Sequence, residues 1–280
     1  MKEKEFALMM AKKAGKIIRK NFSIGMEKKW KSDHTPVTET DMKINKLLIK
    51  ESKKYFPDYG IKGEEESSMS GKEEYLWVCD PVDGTIPFSH GIPNCIFSLA
   101  LVRNGVPILG VAYDPFMDRM FFAEKGKGAF MNGKKISVSK QNSLENSVIS
   151  FEWGKKSNFN LIKLFAELKN RECKNVCLCS VVYSGVLVAC GELVADIFAW
   201  RTAHDIAALK VIVEEAGGKV TDLYGNEQRY DREINGALVS NGILHEELLK
   251  LIRENVSTRQ RKLYKGLPFI NLINHNEVKS

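Results

Sequence analysis

The sequence has no apolar run near the roughly 18 residues of a membrane-spanning helix, which argues against a helical membrane span. Its first stretch, MKEKEFALMMAKKAGKIIRKNF, is interrupted by lysines and lacks a signal peptide's apolar block. Cysteine is sparse. Six in 280 residues make no disulfide framework, so a reducing cytoplasm is the expected setting. Cys173, Cys177 and Cys179 are close together but contain no Cys-x-x-Cys pair. No nearby histidine completes a zinc set, so ordinary thiols are expected there. Internal repeats and low-complexity linkers are absent. What is present suits a globular chain: 44% hydrophobic and 28% charged residues argue against wholesale disorder. The length buries a sizeable core, as one large domain or two smaller ones. One imbalance stands out, 42 Lys+Arg against 35 Asp+Glu, for a net charge of +7. That sign suits nucleic acid, an anionic surface, a phosphorylated substrate or simple solubility.

Phe6, Met10, Ala14, Ile17 and Ile18 predict an amphipathic helix over 1–22. Pro36 discourages helix just before it. Ile44, Leu47, Leu48 and Ile49 predict a second helix over about 40–55, opened by a capping box at Thr38-x-x-Asp41. Residues 60–71 read as an acidic loop, and Tyr75 to Cys79 as a short strand ending at Asp80-Pro81. Strands are predicted at Ile96–Arg103, Pro107–Tyr113 and Met120–Ala123, with turns at Asn104-Gly105 and Asp114-Pro115. Gly126, Gly128 and Asn132-Gly133 mark another hairpin. Residues 143–200 alternate strand and helix signals. His204 to Ala216 predicts a helix closed by Gly217-Gly218. Ala237 to Val239 predicts a late strand ending at Ser240, and Leu244 to Ile252 a closing helix. The mixed order suggests a layered α+β fold rather than a doubly wound sheet. It divides loosely into 1–140, 141–255 and a basic, aperiodic tail, 256–280.

The densest chemical signal is Trp77-Val78-Cys79-Asp80-Pro81-Val82-Asp83-Gly84-Thr85. An apolar strand runs into two aspartates three residues apart. Pro81 fixes one dihedral and Gly84 permits close backbone approach. Asp80 and Asp83 can therefore aim at one point, where either a proton or a cation must separate them. Oxygen ligands alone favour Mg²⁺, Mn²⁺ or Ca²⁺ over zinc. The backbone amides of Gly84 and Thr85 are available to an anion. An ordinary strand-end turn would also use Asp, Pro and Gly. Glu64-Glu65-Glu66, Asp41 and His204-Asp205 could each likewise be a solvated loop, a cap or a dipole-complementing residue.

Taken together, these motifs resemble the inositol monophosphatase family. They are KxDxTPVTxxD at Lys31–Asp41, GEE at Gly63–Glu65, WxxDPxDGT at Trp77–Thr85 and DxAAxxxxxxEAGG at Asp205–Gly218. The likeness covers roughly residues 5–250. It implies a layered α-β-α-β-α sandwich of the inositol monophosphatase / fructose-1,6-bisphosphatase type. It also implies a Mg²⁺-dependent, lithium-sensitive phosphomonoesterase with two or three ions, Mn²⁺ being a possible substitute. By this likeness Glu64, Asp80, Asp83, Asp205 and the Val82 carbonyl ligate metal. Thr85 and Asp41, with Glu64, activate the attacking water. Gly84 and Thr85 hold phosphate, and Glu65 supports the ligands. A homodimer is also implied.

The sugar side departs from the family pattern. Pro87 stands where DGTxNF has Asn, His204 replaces a Trp, and Cys179-Ser180-Val181-Val182 takes the place of a G-[ST]-A-A stretch. The segment Ile197–Arg201 is shortened and lacks the usual acidic residue. Arg201, His204 and Ser180 are the candidate substrate contacts, Arg201 for a second phosphate or a carboxylate. The expected substrate is a small phosphorylated metabolite. Inositol monophosphate leads, with fructose 1,6-bisphosphate, histidinol phosphate and a nucleotide 3′-phosphate as alternatives. A different class, an RNA- or transcription-associated binding protein, is suggested by Arg253, Arg259, Arg261, Lys262 and Lys265. No recognised nucleic-acid motif accompanies them.

Overall fold

The computed structural model describes residues 1–27, 29–30, 36–68, 74–154 and 157–258. Lys31–Thr35 of the first motif, and the tail from Arg259, lie outside the described residues.

Seven helices are present among them: α1 (Glu3–Asn21), α2 (Glu39–Tyr55), α3 (Thr85–Ser89), α4 (Ile162–Asn170), α5 (Val181–Ala189), α6 (Ala207–Glu215) and α7 (His245–Asn255). The larger sheet has eight strands, in the order 134–135, 129–131, 119–124, 106–114, 96–103, 75–83, 60–63, 67–68. All its pairings are antiparallel except Gly60–Gly63 with Tyr75–Asp83. The smaller sheet has five, in the order 174–176, 148–152, 195–198, 237–240, 219–221, with the strand 237–240 antiparallel to both neighbours.

Alternation along the central strands explains the layering. In Tyr75–Asp83, Trp77 and Cys79 enter a core with Phe6, Met10 and Ile44 of α1 and α2. Leu76 and Val78 enter the opposite core, with α5, α6 and the small sheet. A strand buried on both faces reads as a continuous apolar run, and this one does from Leu76 to Cys79, before the two aspartates of its last turn toward the site. The far face of the small sheet packs Ile149 and Phe151 against Leu164 and Leu168 of α4 and Leu248 of α7. The layers therefore run α1/α2, large sheet, α5/α6, small sheet, α4/α7, the α-β-α-β-α order that the family resemblance implies. No helix among the described residues is long and apolar enough to cross a membrane.

Three elements differ from expectation. The acidic loop at 60–71 begins instead with a strand, Gly60–Gly63, paired through Gly63 to Cys79. The strand from Tyr75 does not stop at Cys79. It continues through Pro81 to Asp83, and its register to Ile96–Arg103 shifts between Asp80 and Asp83. That bulge is what lets a proline, which has no N–H to give, sit in an interior strand. Finally, α6 begins at Ala207, and His204–Ile206 form a turn before it. Its other end is as expected. Gly217 has φ +94°, and the N–H groups of Gly217 and Gly218 donate to Glu214 and Val213 in a Schellman closure.

Candidate active site

Four chain segments bring carboxylates to one place. The first is the N-terminal turn of α2. Asp41 is fully buried and accepts the Thr38 backbone N–H at 2.8 Å, closing the expected capping box. Its other oxygen lies 3.4 Å from the Thr85 hydroxyl. The second is the loop after Gly63. The Glu64 N–H donates to the Cys79 carbonyl at 3.1 Å, and Asn45 on α2 donates to the Glu66 carbonyl at 3.0 Å. Gly63 must be glycine here, since a Cβ would sit 2.1 Å from Asn45 Oδ1.

The third segment is the bulge. Asp80 accepts the Val82 N–H at 3.0 Å, and the Val82 carbonyl accepts the Thr85 hydroxyl at 2.9 Å. Gly84 turns the chain into α3 with φ +89°, and a side chain there would collide with the Asn94 carbonyl at 2.6 Å. The fourth is the turn before α6. The Thr202 hydroxyl donates to Asp205, and His204 Nε2 lies 3.7 Å from the same carboxylate.

These segments form three overlapping groups whose ligand atoms lie within 4.8 Å of one another: Asp41, Glu64 and Glu65; Glu64, Asp80 and His204; Asp80, Asp83 and Asp205. Glu64 and Asp80 are the shared members. Asp41, Glu64, Glu65, Asp80, Asp83 and Asp205 are thus all in the cluster, and so is His204; Glu66 is in none of the three groups. Arg201 stands on the same loop as Asp205, half-exposed, 3.5 Å from Glu233. Ser180, expected on the sugar side, is buried, and its hydroxyl donates to Asp83. Asp83 also accepts the backbone N–H groups of Val181 at 3.1 Å and Val182 at 2.8 Å, at the start of α5.

Crowding and burial act together on these groups. Burial, then the charges of Glu64, Asp83, Asp205 and Asp41, pushes Asp80 well above the usual carboxylate range. Burial pushes Asp41 up to about 7, with Glu64 and Glu65 adding to it against the Thr38 hydrogen bonds. Burial and then Asp205 push Asp83 up to about 7, although Ser180 and the α5 amides oppose this. Asp205 is raised by burial and held back by His204. A buried set of oxygen donors that resist ionising together fits hard divalent cations, which would supply the missing positive charge.

Two buried acids nearby escaped the sequence reading. Glu152, at the end of strand Val148–Glu152, is pushed up to about 9 by burial, with the charges of Asp196 and Asp83 adding to it and the nearby Ser180 and Cys179 backbone opposing it. Asp196, in strand Ala195–Phe198, is fully buried and pushed up to about 8 by burial. The one available signal was an acidic residue inside each of two apolar strand segments.

The sequence profile described as the inositol monophosphatase family matches residues 2–257. The chain is 39% identical over 222 residues to a fructose-1,6-bisphosphatase/inositol-1-monophosphatase of Thermotoga maritima, covering 79% of this chain and 83% of that protein. A solved structure of a T. maritima IMPase aligns with TM-score 0.82 at 34% identity, over 91% of this chain and 98% of that one. A second, titled IMPase/NADP phosphatase complexed with Mg²⁺ and phosphate, aligns with TM-score 0.80 at 26% identity, over 90% and 95%.

Proposed function

The chain belongs to the inositol monophosphatase family and is a phosphomonoesterase, and from that premise we propose that the carboxylate cluster is its Mg²⁺-dependent active site. The observation that carries this reading is the sharing of Glu64 and Asp80 among three groups of converging donors. Glu64, Asp80, Asp83, Asp205 and the Val82 carbonyl would hold two or three ions, with Mn²⁺ as a substitute, and Glu65 would support them. When bound, the ions neutralise a phosphate dianion and make the attacking water more acidic. The solved relative that carries Mg²⁺ and phosphate supports the choice of metal.

The chain's own groups do the rest. Thr85 reaches both the Val82 carbonyl and Asp41, so its hydroxyl can take the water's proton while passing its own to Asp41. Asp41, buried and within reach of the Thr85 hydroxyl, is well placed to be the base at the end of that relay. Glu64, between Asp41 and Asp80, orients the water. The N–H groups of Gly84 and Thr85 receive the phosphate. Ser180 and the α5 amides fix Asp83, a positioning role rather than substrate contact. His204 faces the leaving group.

Inositol monophosphate is the proposed substrate. A second reading, fructose 1,6-bisphosphate, is favoured by Arg201 on the Asp205 loop and by the double name of the T. maritima relative. Lithium inhibition and a homodimer belong to the same proposal and rest on family likeness, and a cytoplasmic setting rests on the sparse cysteine.

The test is phosphate release from inositol 1-phosphate, fructose 1,6-bisphosphate, histidinol phosphate and adenosine 3′,5′-bisphosphate, each with and without Mg²⁺ and Li⁺. Mg²⁺-dependent, Li⁺-inhibited release, fastest from inositol 1-phosphate, is the expected result. Faster release from fructose 1,6-bisphosphate would install the second reading. Silence across the panel, with steeply salt-dependent RNA binding, would overturn both.

A further inference from the structure

Of the six cysteines, Cys177 and Cys179 are exposed, and their sulfurs lie 3.7 Å apart. The residue between them is anchored, because the Asn94 side-chain amide donates to the Leu178 carbonyl. From Ser180 onward the chain is held by the Asp83 carboxylate. Glu152 lies close to the backbone of Cys179 and Ser180. Asp83 takes the Ser180 hydroxyl and the N–H groups of Val181 and Val182. Gly84 closes the contact from the other side, where a Cβ would lie 3.1 Å from Ser180 Cβ. The second thiol therefore adjoins the residue whose hydroxyl holds Asp83.

We propose that Cys177 and Cys179 are a dithiol–disulfide modification site whose oxidation loosens the hold on Asp83 and weakens Mg²⁺-dependent turnover. The effect on turnover rests on the reading of Asp83 given above; the thiol chemistry does not. The oxidant is a low-molecular-weight disulfide of the glutathione class. The Cys177 thiolate attacks one of its sulfurs, forming a mixed disulfide and releasing one thiolate, which takes a proton from solvent. Cys179, once deprotonated, attacks Cys177 Sγ, forms the intramolecular bond and expels the second thiol. Two protein thiols are oxidised by two electrons in all, and the small disulfide is reduced to two thiols. The order follows from environment, since the Cys179 residue is exposed but its sulfur is partly covered, and that partial burial with the adjacent Cys177 pushes the thiol up to about 12. To bond, the sulfurs must close from 3.7 Å. With Leu178 tied to Asn94, the movement passes into Cys179 and Ser180. A shift in a group that orients a metal ligand costs about 10–100-fold in metal affinity or activity.

The experiment incubates the full chain with excess oxidised or reduced glutathione. It then reads the Cys177–Cys179 peptide by alkylation and mass spectrometry, and phosphate release across a Mg²⁺ titration. Oxidised protein should carry the cross-link, and its apparent Mg²⁺ affinity should fall about tenfold and recover with dithiothreitol. Cys177→Ser and Cys179→Ser should match the reduced wild type and ignore oxidation. The proposal is overturned if both thiols stay free or carry only glutathione. It is equally overturned if the cross-link leaves the Mg²⁺ dependence unchanged, or if inhibition persists in both variants. A cross-linking chain whose reduced form releases no phosphate would refute the phosphatase reading and, with it, the link to turnover.

Discussion

Asp80 is the carboxylate most affected by its neighbours, because it faces Glu64, Asp83, Asp205 and Asp41 at once. Replacing it by asparagine keeps the shape and removes one of the repelling charges. We expect Asp80→Asn to lose at least about 10³-fold in kcat/KM with Mg²⁺ present. The metal-free protein should unfold at the same or a higher temperature than wild type. Near-native turnover would remove Asp80 from the site, and a lower melting temperature would refute the repulsion argument. A pH effect follows from Asp41 and Asp83, both pushed up to about 7. Their unfolded values are near 4, so the folded chain binds the more protons between the two. Stability in EDTA should therefore fall as pH rises from about 4 to about 7 and then level off. Mg²⁺ needs the ionised carboxylates, so it should raise the melting temperature by about 5 °C or more at pH 8 and far less at pH 5. Thermal scans with EDTA and with Mg²⁺ check this; an equal gain at both pH values would contradict it. At this scale the sequence was informative where acids end apolar runs or begin helices, as at Asp80, Asp83, Asp205 and Asp41. It was silent on Glu152 and Asp196, because a single acid inside a strand has no spacing pattern. It was silent also on the bond from Ser180 to Asp83, which joins residues 97 apart in the chain.

At the scale of elements, two glycines with different jobs give a paired test. Gly110 lies under α6, where a Cβ would be 2.5 Å from the Ala208 carbonyl oxygen. Gly110→Ala must lift α6 from the sheet, and the turn carrying Asp205 leads directly into that helix. Denaturant unfolding should show a loss of about 1–3 kcal/mol, and a Mg²⁺ titration of activity should shift to higher concentration. Gly217→Ala meets nothing closer than 3.9 Å, and its cost is confined to φ +94°. It should lose about 1 kcal/mol with an unchanged Mg²⁺ dependence. Equal Mg²⁺ curves for both variants would mean that α6 does not set Asp205. The elements best read from sequence were those whose side chains alternate. Ile96–Arg103 matches to the residue because Phe97, Leu99 and Leu101 face one core and Ile96, Ala100 and Val102 the other. Gly60–Gly63 was missed because half of it has no side chain to alternate. Pro81 ended the predicted strand early because the bulge that accommodates it depends on pairing with a distant strand. The helix at 204–216 was predicted to start three residues too early, since Asp205 imitates a first-turn acid while Thr202 holds it in the turn before.

At the scale of the molecule, a chain of net charge +7 concentrates its informative acids where the N-terminal ends of α2, α5 and α6 converge. The positive ends of those helices offset part of the repulsion, and cations would have to offset the rest. Once they do, an anionic substrate meets a positive surrounding, and charge acts on encounter rather than on the chemical step. Residues 259–280 carry five basic side chains against one acidic, four of the seven net charges. The family match ends at residue 257, and among the described residues the last buried core side chain is Ile252. The tail should therefore contribute field but no chemistry. For the full chain, kcat/KM should fall by about two- to threefold between low and physiological ionic strength at fixed free Mg²⁺, with kcat unchanged. A chain ending at Thr258 should keep the same kcat and show a flatter salt dependence, as steady-state phosphate release at several KCl concentrations will measure. A drop in kcat on truncation would instead assign the tail a part in catalysis. An identical salt slope in the two chains would mean that the attracting field comes from the folded body alone.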